Sequence, residues 1–257
     1  MTSLHPRLLC CLAAAVLVLP LLNSCSTLKA GAVPTSSFLP HRNELKPDGK
    51  HSPFLATWTS PEAAKTLEKR RSIYLAPVSL AYLRPMKRNL SKSEIPEPEW
   101  KDGARKLADY ANSRLAEAFA HSKTQRYKLV SKPDKDSLTV ELAFVELNPN
   151  PLSGGLLRTA VNVVAVPGVD SVLMKSFKGN IAMEGKVLDS TTKKPVYEFA
   201  DNQENKSALI FSVNDLNTYG QAREAIDEWA EELEKLLRTP MDQKVSGPAA
   251  FVVFPWN

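Results

Sequence analysis

Few residues of this 257-residue chain have the type and spacing to do chemistry, and its cysteines and glutamates come first. The cysteines are Cys10, Cys11 and Cys25. The first two sit inside an apolar N-terminal run, so an exported chain that loses that run keeps one thiol at most and builds no disulfide framework. Glu141, Glu184 and Glu198 stand in β-patterned stretches, and gathered on one sheet face they would offer an acid/base pair. The blander expectation for all three is that they face water. His41, His51 and His121 show no HExxH motif and no i, i+4 pairing, so no metal site is expected. No G-x-S-x-G elbow, Walker A loop or G-x-G-x-x-G turn occurs. Serine nucleophiles would lack an adjacent base. These absences point to a noncatalytic protein without cofactor.

Cys25 is the exception. Leu8 to Leu22 is an uninterrupted apolar run of fifteen residues, LLCCLAAAVLVLPLL, preceded by Arg7. As a helix it would span about 22 Å, short of the roughly 30 Å hydrocarbon core, and Pro20 would break its last turn. A basic start, a short apolar centre and a small-residue exit are the marks of a secretory signal peptide, assigned to residues 1–24. Two cleavage sites compete. LNSC, Leu22 to Cys25, resembles the bacterial lipobox, in which the cysteine sulfur receives diacylglycerol and the chain is cut before it. AGA, Ala30 to Ala32, would suit ordinary signal peptidase and release a soluble periplasmic chain, but it lies far from the apolar run. The lipobox is preferred, because a thioether needs no partner whereas a lone thiol in an exported chain is a liability. Acyl chains on Cys25 would supply stable membrane anchoring. Ser26, in place of the aspartate common in inner-membrane lipoproteins, points to the outer membrane, facing the periplasm.

The hydrophobic share of 43% supports a packed core. Residues 26–106 hold 15 Lys and Arg against 8 acids, and residues 107–257 hold 17 against 20. The basic first part would favour an anionic surface, although a solvated mixed-charge face is the simpler expectation. Residues 25–57 read as a lipidated N-terminus and tether, with SSFLP (Ser36 to Pro40) an apolar clip onto the body.

A single domain is expected over 58–240. RSIYLAPVSLAYL (Arg71 to Leu83) has the two-sided apolar pattern of a central strand. The next element is a helix whose stripe is Ala104, Leu107, Ala108, Ala111, Leu115, Ala118 and Phe119. YKLVSK is a short strand, and PDKD turns it into SLTVELAFVELN. There Leu138, Val140, Leu142, Phe144 and Glu146 share one face, with Thr139, Glu141, Ala143 and Val145 on the other. GNIAMEGKVLDSTTKKPVYEFADN is a hairpin. The last helix, capped by Asn214 or Ser212, buries Ala222, Ala225, Ile226, Trp229, Ala230, Leu233, Leu236 and Leu237, with Glu224, Asp227, Glu228, Glu231, Glu232 and Glu234 outside, and stops at Pro240. The expected fold class is α+β: a mostly antiparallel sheet of about five strands with two main helices on one face, in the order β-α-β-β-β-β-α, a two-layer sandwich.

SSFLPHRNELKP, IYLAPV, YKLVSKPDKDSLTVELAFVELNP, GNIAMEGKVLDSTTKKPVYEFAD and AIDEWAEELEKLL follow one another in the order of a bacterial lipoprotein family, domain-of-unknown-function family 3313. The chain resembles that family over about residues 36 to 240. The resemblance implies lipid anchoring and an envelope location, and carries over no catalytic residue. One departure stands in the hairpin, where Lys193 occupies a position the family fills with glycine. A turn without that glycine needs another geometry, in which Asp189 can bond its own backbone.

Two apolar segments remain. Residues 151–174, PLSGGLLRTAVNVVAVPGVDSVLM, are long for a connection inside a domain. As a helix they would align Leu156, Leu157, Ala160, Val161 and Val164, either to cover the sheet or to meet a partner or membrane. The extension 241–257 ends with Phe251, Phe254 and Trp256, too apolar for a free tail. Its simplest place is an edge strand or a tuck against the body, with donation to a partner the sharper alternative. An exported chain without an aromatic RNP-like strand is not expected to bind nucleic acid. The function expected is a lipid-anchored envelope interaction, scaffold or transport-accessory module, with the membrane and an envelope protein as partners. The alternative is a periplasmic carrier of lipid or a small apolar ligand.

Overall fold

The alternation in Ser137–Asn148 generates the longest strand, twelve residues, and the sheet is built outward from it. The computed structural model describes residues 35–48, 50–86, 96–149, 180–204 and 219–245, all within the compact unit Lys29–Pro248. In chain order the elements are β1 (Ala56–Thr59), α1 (Ala63–Lys69), β2 (Ser72–Leu75), α2 (Glu97–Ala120), β3 (Lys128–Leu129), β4 (Ser137–Asn148), β5 (Asn180–Asp189), β6 (Pro195–Glu204) and α3 (Gly220–Arg238). The six-stranded sheet has the order β1-β6-β5-β4-β2-β3. β1, β6, β5 and β4 pair antiparallel, whereas β2 pairs parallel with β4 and β3. Parallel pairing requires a long crossover, and the 24-residue α2 provides it.

The α+β, mostly antiparallel sandwich is therefore present, with one strand more than expected. β1 and α1 arise from FLATWTSPEAAKTLEK, too short a stretch for either period to stand out. The central strand expected over Arg71 to Leu83 is only Ser72–Leu75. Pro77 has no N–H to donate, and beyond it the chain follows β4 irregularly, touching again where Ser79 bridges Ala143.

One face of the sheet carries the core. Leu138, Val140, Leu142 and Phe144 of β4, Ile181, Met183 and Val187 of β5, and Tyr197 and Phe199 of β6 pack with α2 and α3 in one cluster. A register shift between Phe144 and Glu146 adds a residue to β4. A one-residue slip exchanges faces, so Leu147 rejoins the core opposite Ile181 and Glu146 joins the other face opposite Ala182. Glu146 thus does not share the face of Leu138 to Phe144. Gly185 leaves room for the Phe199 ring, since a Cβ there would lie 2.1 Å from it, and Phe199 in turn stacks on Phe54 with centroids 4.1 Å apart.

The α2 stripe is buried as its spacing requires, apart from half-buried Ala118, and Trp100 extends it by donating Nε1–H to the Leu147 carbonyl at 3.0 Å. The α3 apolar face is buried throughout, but the acids do not all lie outside: Glu232 and Glu234 are buried. Glu234 accepts from Ser122 Oγ at 2.5 Å and from Arg238 Nε at 3.0 Å, partners that a helical wheel cannot supply. α3 starts at Gly220 with Tyr219 in the N-cap position and no side-chain cap hydrogen bond, while the expected caps, Asn214 and Ser212, lie outside the described residues.

The β5–β6 turn resolves the missing glycine. Lys193 adopts the left-handed conformation, φ 59°, and Asp189 Oδ1 accepts the Thr191 and Thr192 amides, both at 2.9 Å. The same carboxylate forms a buried ion pair with Arg70. Burial alone would raise the Asp189 carboxyl, but the Arg70 hydrogen bond, the two amides and the Arg70 charge hold it below its ordinary value.

Left-handed backbone costs a side-chain-bearing residue roughly 1–2 kcal/mol, partly offset by the unfolded-state freedom a glycine adds. Lys193→Gly should therefore stabilise the protein by about 0.5–1 kcal/mol in denaturant unfolding. A depressed Asp189 contributes stability that is complete above the ordinary aspartate value and lost as pH falls through the folded value. Unfolding free energy should accordingly show an acid limb, and Arg70→Met should flatten it while costing about 3 kcal/mol at neutral pH.

Candidate functional site

The face of the sheet opposite the helices is organised as two adjacent rungs. In one, Trp58 pairs with Glu198, Glu198 with Lys186, and Lys186 with Glu141, across β1, β6, β5 and β4. In the next, Ala56, Ala200, Glu184 and Ala143 are in register. The charged rung offers polar groups, and the alanines of its neighbour leave a trough.

Residues 35–46 fill that trough as a strap. Phe38 and Leu39 are buried against Ala143, flanked by Leu45, Tyr82 and Ala200. The sheet holds the strap largely by its main chain. Glu184 accepts from the Ser36 amide at 2.5 Å and from its hydroxyl at 2.6 Å. Lys186 donates to the Phe38 carbonyl at 3.3 Å, lies 4.2 Å from the centroid of the Phe38 ring and pairs with Glu141 at 3.2 Å. Glu198 accepts from the His41 amide at 3.0 Å and is 2.7 Å from His41 Nδ1, which must be the donor to an ionised carboxylate. The His41 ring stacks on Trp58 with centroids 3.6 Å apart and planes 3° apart, and Trp58 donates to Glu44 at 3.2 Å. Acceptor, donor and acceptor thus meet Ser36, Phe38 and His41.

Glu141, Glu184 and Glu198 do gather on one face, but two of them do not face water. Glu184 is 1% exposed and Glu198 is buried completely. Both of these carboxylates are engaged with the strap. The clip at Ser36 to Pro40 is present, and the described part of the segment read as tether, from residue 35 to 57, lies on the body and runs into β1. Strap recognition had one signal in the sequence: Glu184, Lys186 and Glu198 are charges at mid-strand positions of β5 and β6 that alternation places on a single face.

His51 is buried, with Nδ1 2.5 Å from the Gln243 carbonyl, and His121 ends α2, so the three histidines do not converge. Among the described residues no cluster of His, Cys, Asp and Glu could hold a metal, and no helix is long and apolar enough to cross a membrane. An open groove of about 500 Å³ runs between α2 and the β2–β3 edge, lined by Leu75, Pro77, Ala116 and Leu129 among others. Cys25, the insert residues Leu156, Leu157, Val161 and Val164, and Phe251, Phe254 and Trp256 lie outside the described residues.

With this geometry in hand, residues 34–233 match the family described as protein of unknown function, DUF3313. The chain belongs to that family. The match begins just before the strap and runs into α3, so in this DUF3313 member the strap falls inside the family region. No curated protein matches the sequence. Among solved structures the chain is similar to a PelC dodecamer from Paraburkholderia phytofirmans, at 10% identity and TM-score 0.33 over 65% of this chain and 89% of that one. It is also similar to a candidate lipoprotein from Caulobacter crescentus CB15, at 12% identity and TM-score 0.27 over 68% and 91%. Neither likeness bears on what this chain does.

Removing Glu198 would leave the His41 amide and Nδ1 without their acceptor beneath the strap. Truncation of one partner of a buried hydrogen bond costs about 1–3 kcal/mol. Glu198→Ala should therefore loosen the strap and speed tryptic cleavage after exposed Arg42, leaving the far-ultraviolet circular dichroism of the body unchanged. Unaltered cleavage would mean that Glu198 does not hold the strap.

Proposed function

We propose that this DUF3313 protein is a lipid-anchored envelope module, acylated at Cys25 and held at the periplasmic face of the outer membrane, where it acts as a noncatalytic interaction or scaffold element. The observation that carries this reading is the strap. Ten residues, 26–35, separate Cys25 from Ser36, and ten extended residues reach at most about 35 Å. A lipid on Cys25 would hold the body close to the bilayer, with the load passing to Glu184 and Glu198 inside the sheet. Such an attachment suits an anchored module, because it fixes the point on the body from which the lipid-bearing segment leaves.

The noncatalytic part of the reading is supported by the two sequestered carboxylates, whose lone pairs are committed to the strap. A carrier of lipid would need an enclosed apolar cavity. The groove beside α2 is open and includes Asn112 and Ser131 in its lining, so it gives that alternative little support.

Metabolic labelling with a radioactive fatty acid tests the anchor. The parent protein should incorporate label and fractionate with outer membranes, and Cys25→Ser should lose the label. Equal labelling of the two would remove the lipid from the proposal, and label confined to inner-membrane fractions would remove the outer-membrane placement.

A further inference from the structure

The two ends of the sheet treat their charges differently. At the end where α2 begins, Lys101 pairs with Glu97 at 2.8 Å, and Arg105 and Lys106 pair with Asp102 at 3.1 and 2.7 Å. At the opposite end, where β2, β3, β4 and β6 begin, exposed Lys69, Arg71, Lys128, Lys135, Lys193 and Lys194 have no carboxylate within ion-pair distance among the described residues.

These cations come from separate loops that the fold binds together. Arg71 donates its amide to the Asp136 carbonyl at 3.1 Å, and Lys128 donates to the Arg71 carbonyl at 2.9 Å. The Lys135 carbonyl accepts from the Arg70 guanidinium and from Thr191 Oγ1, the latter at 3.2 Å. Two of the nearby acids are committed elsewhere. Asp189 holds Arg70 and the turn amides, and Asp134 Oδ1 accepts the Asp136 amide at 2.8 Å and lies 3.4 Å from Ser72 Oγ. Turn and ion-pair bonds take up Asp134 and Asp189, which leaves exposed Glu68 and Asp136 as the acids beside six exposed cations, neither of them within ion-pair distance of one.

We infer that this end of the body is an electrostatic docking surface for anionic phospholipid headgroups, and that the protein stands on the membrane with it facing down. The inference rests on the anchored reading above. From Glu184 to the β5 end at Asp189 is five residues, about 17 Å, well within the ~35 Å reach of residues 26–35. Cations on the rim of a body held this near an anionic leaflet meet its surface potential, and each basic residue at such a surface raises binding roughly fivefold.

The test uses the full chain carrying Cys25→Ser, so that no acyl group contributes, in sedimentation with vesicles of pure phosphatidylcholine or of phosphatidylcholine with phosphatidylglycerol. Binding should be stronger to the anionic vesicles at about 0.1 M salt and fall to the neutral level at about 1 M, where the screening length shrinks from roughly 10 to 3 Å. Lys128→Glu, Lys135→Glu and Lys194→Glu combined should weaken the anionic-specific binding on the order of 100-fold, with the circular dichroism unchanged. Lys101→Glu with Lys106→Glu at the other end should leave it intact. Equal binding to both vesicles, indifference to the triple reversal, or retention only by a soluble polyanion would overturn the inference. Fatty-acid labelling is read separately, so loss of the anchor and loss of this surface are distinguishable.

Discussion

A carboxylate in the middle of a sheet must find hydrogen-bond donors or incur a desolvation cost of several kcal/mol, and the second face of this protein is arranged around that constraint. Glu184 and Glu198 sit on β5 and β6, two residues apart in register and so on adjacent rungs of one face, where neighbouring strands have already used their own amides in the ladder. Donors must therefore come from outside the sheet. The strap brings Ser36 and His41 to them, and in doing so it presses Phe38 and Leu39 into the trough left by Ala143 and Ala200. Burial of the apolar pair and satisfaction of the carboxylates are thus one event. Apolar burial favours the docked strap, and the same docking offsets the cost of the two buried carboxylates. Lys186 completes the arrangement by balancing the charged rung between Glu141 and Glu198 and giving the Phe38 carbonyl a donor.

The helix-facing side obeys a different rule, that of close packing. Gly185 and Phe199 show how far it goes, since the ring occupies the space where any side chain at 185 would project. The β4 bulge lets the two rules coexist. Without the extra residue, Glu146 would point into the helix layer and Leu147 toward the polar side. With it, Glu146 accepts from Asn148 at 2.8 Å and lies 3.5 Å from Arg84, while Leu147 enters the core. A single inserted residue keeps both faces chemically consistent along a strand of twelve residues.

Much of this was legible in the residues themselves. The α2 and α3 stripes, the β4–β5–β6 alternation and the apolar clip are local patterns, each readable within one element. The clip's binding mode was not, because it depends on register between strands more than forty residues apart: whether Glu184 meets Ala143 or its neighbour is decided by the bulge, which leaves no mark in the sequence. Burial of Glu232 and Glu234 had the same origin, since Ser122 reaches Glu234 only once α2 and α3 are packed. Pro77 did announce the early end of β2, but the apolar run around it masked the signal. Lys193 was the opposite case. The family departure there did not bring the other geometry expected of it. Lys193 keeps the left-handed conformation a glycine would supply, and only the bonding of Asp189 to its own turn came as its position suggests.

Charge illustrates why a linear reading of composition misleads about surfaces. The first part of the chain is basic and the second acidic, yet the cations at the strand-start end come from both: Lys69 and Arg71 from one, Lys128, Lys135, Lys193 and Lys194 from the other. What selects them is topology. β2, β3, β4 and β6 all start at that end, so their entering loops converge there, and those loops are lysine-rich. The acids among them turn the chain, as Asp134 and Asp189 do, and a carboxylate occupied with backbone amides is poorly placed to neutralise a lysine on the next loop. On α2 the opposite holds, because helical spacing puts Glu97 and Asp102 directly beside their lysines. The uneven surface field is therefore a consequence of where turns and helices fall, and a strap fixed to mid-sheet leaves both ends free to exert it.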